Sequence, residues 1–182
     1  MTELCTASTP GGGNVVASAT TPFGDWIRVE SRTIQLTDDE RMVAHVVRFP
    51  AIALVLALDG DRLVLIRQFR YPPQCWLVEA PAGRVEAHEP PERTAARELR
   101  EETGYEAGKL ELIGRLRISP HLSDETTHVY LGTDLTPGEP HPDKGELIQP
   151  FPVPRNQLRS MVDRQQIVDA KTIAALSLSH LI

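Results

Sequence analysis

Residues 80–105 read APAGRVEAHEPPERTAARELREETGY, and the rest of the chain is organised around this stretch. Its second half is written as a helix. Pro90 and Pro91 suit the first helical positions, where a missing N–H costs nothing. Glu92 to Thr103 is rich in strong helix formers, and Gly104 follows as a C-terminal stop. Helical spacing then crowds Glu98, Glu101 and Glu102 onto one side. Like charges so placed repel, by roughly 0.2–0.5 kcal/mol per pair in a bare helix. Two arrangements answer that repulsion. One is a solvated acidic face laced by Arg97 and Arg100. The other is a bound divalent cation, and hard oxygen ligands suit Mg²⁺ or Mn²⁺.

A wider pattern separates the two. Gly83, Glu89, Arg97-Glu98-Leu99, Glu101-Glu102 and Gly104-Tyr105 stand at the spacing G-x5-E-x7-R-E-U-x-E-E-x-G-U, where U is apolar. This resembles the Nudix box, the signature of hydrolases that split nucleoside diphosphates linked to another group. The final position is usually aliphatic; Tyr105 departs from that and still supplies apolar bulk. The resemblance implies an α+β fold, an α/β/α sandwich with a mixed sheet between helices. It implies a loop–helix–loop in which the loop at Gly83 folds back on a helix ending at Gly104, with Glu89 and Arg97 bracing it. Glu98 and Glu102 then bind metal, Glu101 completes the shell, and the backbone oxygen of Ala82 is a further ligand. The box specifies diphosphate hydrolysis and leaves the substrate open.

Outside the box the chain resembles the ADP-ribose pyrophosphatase-like subgroup of the same family. Gln68-Phe69-Arg70 ends a strand as in those enzymes, where the arginine touches the phosphate–ribose part of the substrate. A guanidinium suits phosphate oxygens, although a solvated strand-end charge would read the same way. Glu79 stands in the subgroup's E-x-P-A-G context, facing substrate or metal, or serving as a plain strand-end anion. Pro120 lies in an S-P-x-x-S-D-E loop that marks the subgroup, with His121 where glycine is common. Glu125 in that loop is implied as the general base; its alternative is a loop carboxylate in water. Trp26 is either a core or interface aromatic or a stacking platform for the base. Relatives of this kind carry an N-terminal β-segment exchanged across a homodimer, which the resemblance implies here for residues 24–49.

Composition is that of a soluble globular protein, and the length suits one ordinary domain with at most a small appendage. A net charge of −6 argues against a nucleic-acid partner, which would want a basic patch. No apolar run approaches the roughly 18 residues that a membrane span needs. Cys5 and Cys75 are the only cysteines, so a reducing cytoplasm is the expected compartment and a disulfide scaffold is not. Residues 1–23, rich in Thr, Ser, Gly and Ala, are expected as a flexible tail and 50–182 as the hydrolase domain. Strands are predicted over two or three segments of 25–48, then 51–58, 62–69, 76–83, 109–118, 126–133 and 146–153. Residues 134–145 read as a Pro/Gly-rich loop, and helices are predicted at 154–161 and 170–180, the second capped by Asp169. The function expected is Mg²⁺-dependent hydrolysis of ADP-ribose to AMP and ribose 5-phosphate. Its alternatives are another nucleoside diphosphate sugar (GDP-mannose, ADP-glucose) or a non-catalytic nucleotide-sugar sensor.

Overall fold

The computed structural model describes residues 13–182, so the first part of the expected tail lies outside the described residues. The described chain forms two compact units. One runs to Phe49 and takes in Ser119–Asp124; the other comprises Pro50–Ile118 and Glu125–Ile182.

The first unit is an antiparallel sheet of β1 (Asn14–Phe23), β2 (Ile27–Gln35) and β3 (Arg41–Arg48) in that order. The expectation that the flexible tail extends to residue 23 is thus corrected at 14–23. That segment pairs with β2 from Asn14↔Gln35 to Phe23↔Ile27. Its side chains are exposed along the whole strand, so main-chain hydrogen bonds order it and no buried apolar face announces it. The Ser119–Asp124 segment joins this sheet through Val47 N–H to the Leu122 carbonyl and through an Arg48–Asp124 ion pair.

The second unit is the sandwich. Its elements are β4 (Ile52–Asp59), β5 (Arg62–Arg70), β6 (Cys75–Glu79), β7 (Ala82–Arg84), α1 (Pro91–Thr103), β8 (Glu106–Leu116), β9 (Thr127–Thr136), β10 (Ile148–Pro154), α2 (Arg155–Asp163) and α3 (Ala170–Leu178). The sheet order is β10-β5-β4-β9-β8; β4 and β9 run parallel and the other pairs antiparallel. β4 shows how the layers form. Ala53, Val55 and Ala57 pack with Ala95 and Leu99 of α1, while Leu54 and Leu56 pack with Leu158 of α2 and Ala175 and Leu176 of α3. Successive side chains of a strand point to opposite faces, so an unbroken apolar run is what a strand covered on both sides requires. Each such leucine contributes roughly 1.5–3 kcal/mol on burial.

The β4–β5 hairpin is zipped only near its turn, over Ala57–Asp59 and Arg62–Val64. Beyond it the strands part like a Y. β6 takes over pairing with β5 from Ile66 to Arg70, and β7 takes over with β4 from Ile52 to Leu54. The predicted strand over 76–83 is therefore two strands, broken at Ala80-Pro81 as the chain crosses the fork. The Pro81 carbonyl accepts from Val55 N–H there (2.9 Å), and Ala80 N–H donates to the buried Thr172 hydroxyl (2.9 Å). At the sheet's far edge, β10 carries Pro150, Pro152 and Pro154 on alternate residues. Their missing N–H groups face away from β5, which leaves that edge a poor template for another strand.

α1 starts and stops as read from sequence, with Pro90 as its N-cap and Gly104 in the left-handed region at φ 78°. A Cβ on Gly104 would also overlap the backbone of Gly138. Gly60, at φ 60°, has open space around it and so isolates the strain alone. Gly60→Ala should cost about 1 kcal/mol and Gly104→Ala about 2 kcal/mol or more, the difference measuring the contact. Thermal unfolding of the two variants reads this directly; equal losses would mean that the Gly138 contact carries nothing.

Candidate active site

The fork of β4 and β5 delivers Ala80–Gly83 to the side of α1. Gly83 has no room for a side chain: a Cβ there would overlap the Glu98 carboxylate. Arg97 organises what surrounds it. Its guanidinium donates to Glu98 Oε1 (2.8 Å), to Glu101 Oε2 (2.9 Å), to Glu89 (3.3 and 3.4 Å) and to the Arg84 carbonyl (3.4 Å). Glu89 also accepts from the Thr94 hydroxyl (2.7 Å). Burial works against Glu89's charge, but Thr94 and Arg97 outweigh it and hold the pKa below the usual value. The loop from β7 to α1 is thus tied to the helix by one arginine and one glutamate.

Glu98 and Glu102 stand differently. Burial pushes both above the ordinary carboxylate range, Glu102 well above it, and Arg97 only partly offsets this at Glu98. Glu102 is 2 % exposed and accepts from Ala82 N–H (3.0 Å). Each feels further repulsion from neighbouring carboxylates: Glu101 and Glu146 at Glu98, Glu98 and Glu146 at Glu102. Among the described residues no three acidic or imidazole side chains already surround one point, because Glu98 and Glu101 lean on Arg97. The donor set nonetheless fits a hard divalent cation. Only oxygen donors are present, two of them are carboxylates short of positive charge (Glu102 buried, Glu98 partly buried), and a cation there would lower both pKa values.

Glu79 is buried, and Arg70 makes a two-pronged pair with it, Nε to Oε1 (2.9 Å) and Nη2 to Oε2 (2.7 Å). Burial disfavours the Arg70 charge, yet Glu79 overrides it and raises the pKa. Glu102 also acts on Arg70 through space, so this pair belongs to the same field as the box. Glu79 is thereby the holder of Arg70, an arrangement that neither sequence reading of Glu79 contained. Glu125 lies in the second unit, where its carboxylate accepts from the Thr127 hydroxyl (3.1 Å). Trp26 and Pro120 belong to the first unit; Trp26 packs against Phe49 with ring centroids 5.6 Å apart. The residue that sequence reasoning missed is Glu146, read only as an acid at the start of a strand. Its carboxylate acts on both Glu98 and Glu102. The signal available was slight: a Gly-Glu step ending a Pro/Gly-rich loop.

The NUDIX domain model matches residues 47–176. The chain is 36% identical over 146 residues to the ADP-ribose pyrophosphatase of Bacillus subtilis (strain 168), covering 79% of each protein. It is 31% identical over 205 aligned positions to the ADP-sugar pyrophosphatase of Mus musculus, covering 98% of this chain and 93% of that one. A crystal structure of an ADP compounds hydrolase shares the fold at a TM-score of 0.84 and 20% identity, over 96% of this chain and 95% of the other.

The packing of Gly83 on Glu98 gives a test of the cradle. Gly83→Ala should fold with a Tm within about 2 °C of the parent, because the obstacle is the mobile end of a side chain. The same change should weaken Mn²⁺ binding by about tenfold or more, by displacing Glu98. Calorimetric titration with Mn²⁺ measures it, and unchanged affinity would remove Glu98 from the metal site.

Proposed function

The chain belongs to the NUDIX family and is a Nudix hydrolase, and from that premise we propose that it cleaves ADP-ribose at the pyrophosphate, giving AMP and ribose 5-phosphate. The observation that carries a metal-assisted reaction is the pair of under-compensated carboxylates at Glu98, partly buried, and Glu102, buried, with the guanidinium of Arg70 in the same field. The B. subtilis and mouse relatives support the substrate class, and ADP-ribose is our choice within it.

Glu98, Glu101, Glu102 and the Ala82 carbonyl would hold Mg²⁺, or Mn²⁺ in its place. When bound, the ion supplies charge neutralisation at the phosphate oxygens and lowers the barrier to attack by water. The chain's own groups do the rest. Arg70, fixed by Glu79, offers its remaining N–H donors to a phosphate oxygen. A carboxylate takes one proton from the attacking water as its oxygen bonds to phosphorus and the bridging P–O bond breaks. The leaving phosphate departs with the bridging oxygen. Glu125 and Glu146 are the two candidates for that base. Glu146 is the one we favour, since it lies near enough to act on both Glu98 and Glu102.

Trp26, half exposed beside Phe49, supplies a face on which an adenine ring could stack, worth roughly 1–3 kcal/mol. Pro120 stiffens its turn. The first unit's sheet leaves Val15, Val16, Phe23, Met42 and Val43 exposed. A second copy of the chain covering them would make a homodimer, in keeping with the β-segment reading. No helix among the described residues is long and apolar enough to cross a membrane. Cys75 is free, which suits a cytoplasmic setting.

Glu102→Gln should lower kcat by about 10³-fold or more with the circular dichroism spectrum and Tm kept, and chelation of divalent ions should abolish turnover of the parent. A panel of ADP-ribose, GDP-mannose, ADP-glucose, NADH and diadenosine polyphosphates, with products identified, tests the substrate. Higher kcat/KM on GDP-mannose would replace ADP-ribose; full activity of Glu102→Gln would discard the mechanism. In the same assay Glu146→Gln should cost about 10²-fold and Glu125→Gln less, and the reverse order would make Glu125 the base.

A further inference from the structure

The stretch between β9 and β10 is a long loop, yet it is pinned at both ends to the second unit. On one side His141 N–H donates to the Glu101 carbonyl (2.8 Å), and Gly138 packs backbone to backbone on Gly104, so closely that a Cβ on either would overlap the other. On the other side Phe69 N–H donates to the Leu147 carbonyl (3.0 Å). Beside it the Tyr71 hydroxyl donates to the Gly145 carbonyl (3.0 Å). Between these anchors lies a turn closed by Glu146 N–H to the Asp143 carbonyl (3.0 Å) and by Asp143 N–H to Glu146 Oε2 (3.2 Å).

Tyr71 is an odd residue to find in that role for stability alone. It is 60% exposed, with its ring edge-on to Phe69. Water could satisfy its hydroxyl equally well, so the hydrogen bond adds little to folding. What the bond does is fix Gly145, whose φ of 96° lies where other residues are strained. Gly145 is the residue immediately before Glu146, and its φ and ψ set the direction in which the Glu146 side chain leaves the loop.

We propose that Tyr71 is a positioning residue for Glu146: its hydroxyl on the Gly145 carbonyl, working against the His141–Glu101 anchor, sets where the Glu146 carboxylate stands relative to Glu98 and Glu102. The proposal rests on the reading above in which Glu146 serves the hydrolysis. Tyr71 itself touches no reacting atom. It acts by reducing the number of places Glu146 visits, which affects the rate of the chemical step and not the affinity for substrate.

Steady-state kinetics on the full-length protein, with Mg²⁺ and the best substrate of the panel, tests this. Tyr71→Phe removes the hydroxyl and keeps the ring. It should lower kcat about three- to tenfold, the scale of one lost hydrogen bond, with KM within about twofold and Tm within about 2 °C. Gly145→Ala should act in the same direction through the strained φ. In a Glu146→Gln background Tyr71→Phe should change kcat by less than about twofold, because there is no carboxylate left to place. Parental kcat in Tyr71→Phe overturns the proposal, as does an equal loss in both backgrounds. Parental kcat in Glu146→Gln instead overturns the underlying assignment of Glu146, so the two failures are told apart.

Discussion

Two carboxylates one helical turn apart, in a place too dry for either to keep its charge easily, are the constraint on which this protein is built. Nothing about folding alone requires Glu102 to be 2 % exposed, and an apolar residue at that position would pack without the cost of burying a carboxylate. The chain tolerates the site because Arg97 spreads one positive charge over Glu89, Glu98 and Glu101, and because the Ala82 N–H meets Glu102. That compensation is partial. Arg97 leaves Glu98 above its ordinary pKa, so positive charge is still wanting there, and a divalent cation would supply it. The same arginine would make the site a competition: a cation held by Glu98 and Glu101 would take them from Arg97, which Glu89 and the Arg84 carbonyl also bind.

Such a site needs a backbone brought unusually close to a helix, and the forked hairpin provides it. If β4 and β5 stayed paired along their length, no chain could enter between them. Their parting at Ile66 lets β6 and β7 insert, so that Ala80–Gly83 crosses the fork with its polar groups met by Val55 and Thr172. Thr172 is in turn held by Asp169, which caps α3 from the opposite face of the sheet. A helix residue 92 positions downstream in sequence therefore fixes the peptide that leads to Ala82 and Gly83. Removing the threonine hydroxyl would leave the buried Ala80 N–H without its acceptor, a loss usually of about 1–3 kcal/mol.

Much of this was legible. The box spacing, the proline-to-glycine span of α1, the apolar run of β4 and the Asp169 cap are local statements, and local statements survive in one dimension. What escaped was whatever depends on pairing. The break at Ala80-Pro81 exists because two strands change partners, which periodicity does not encode. β1 has no buried face to produce an alternating pattern, so its Thr, Ser and Ala content read as tail. Ser119–Asp124 groups with the N-terminal sheet although it lies inside the span read as one domain. Glu79 reads as a strand-end anion until β6 is laid beside β5 and Arg70 comes within hydrogen-bond reach. Glu146 is a surface acid in sequence, and only the fold brings it near enough to act on Glu98 and Glu102.

The two units differ in what holds them, and that difference bears on how they are used. The sandwich has apolar layers on both faces of its sheet, so its geometry is set from within. The three-stranded sheet has strand-to-strand hydrogen bonds and surface ion pairs such as Glu30 with Arg32 and Arg48, but β1 buries nothing. Isolated sheets of this size are marginal in water unless an apolar face is covered. Among the described residues Val15, Val16, Phe23, Met42 and Val43 are exposed on this sheet. The sandwich, with a core on both faces of its sheet, is the unit that holds Glu98, Glu102 and the Arg70–Glu79 pair in place.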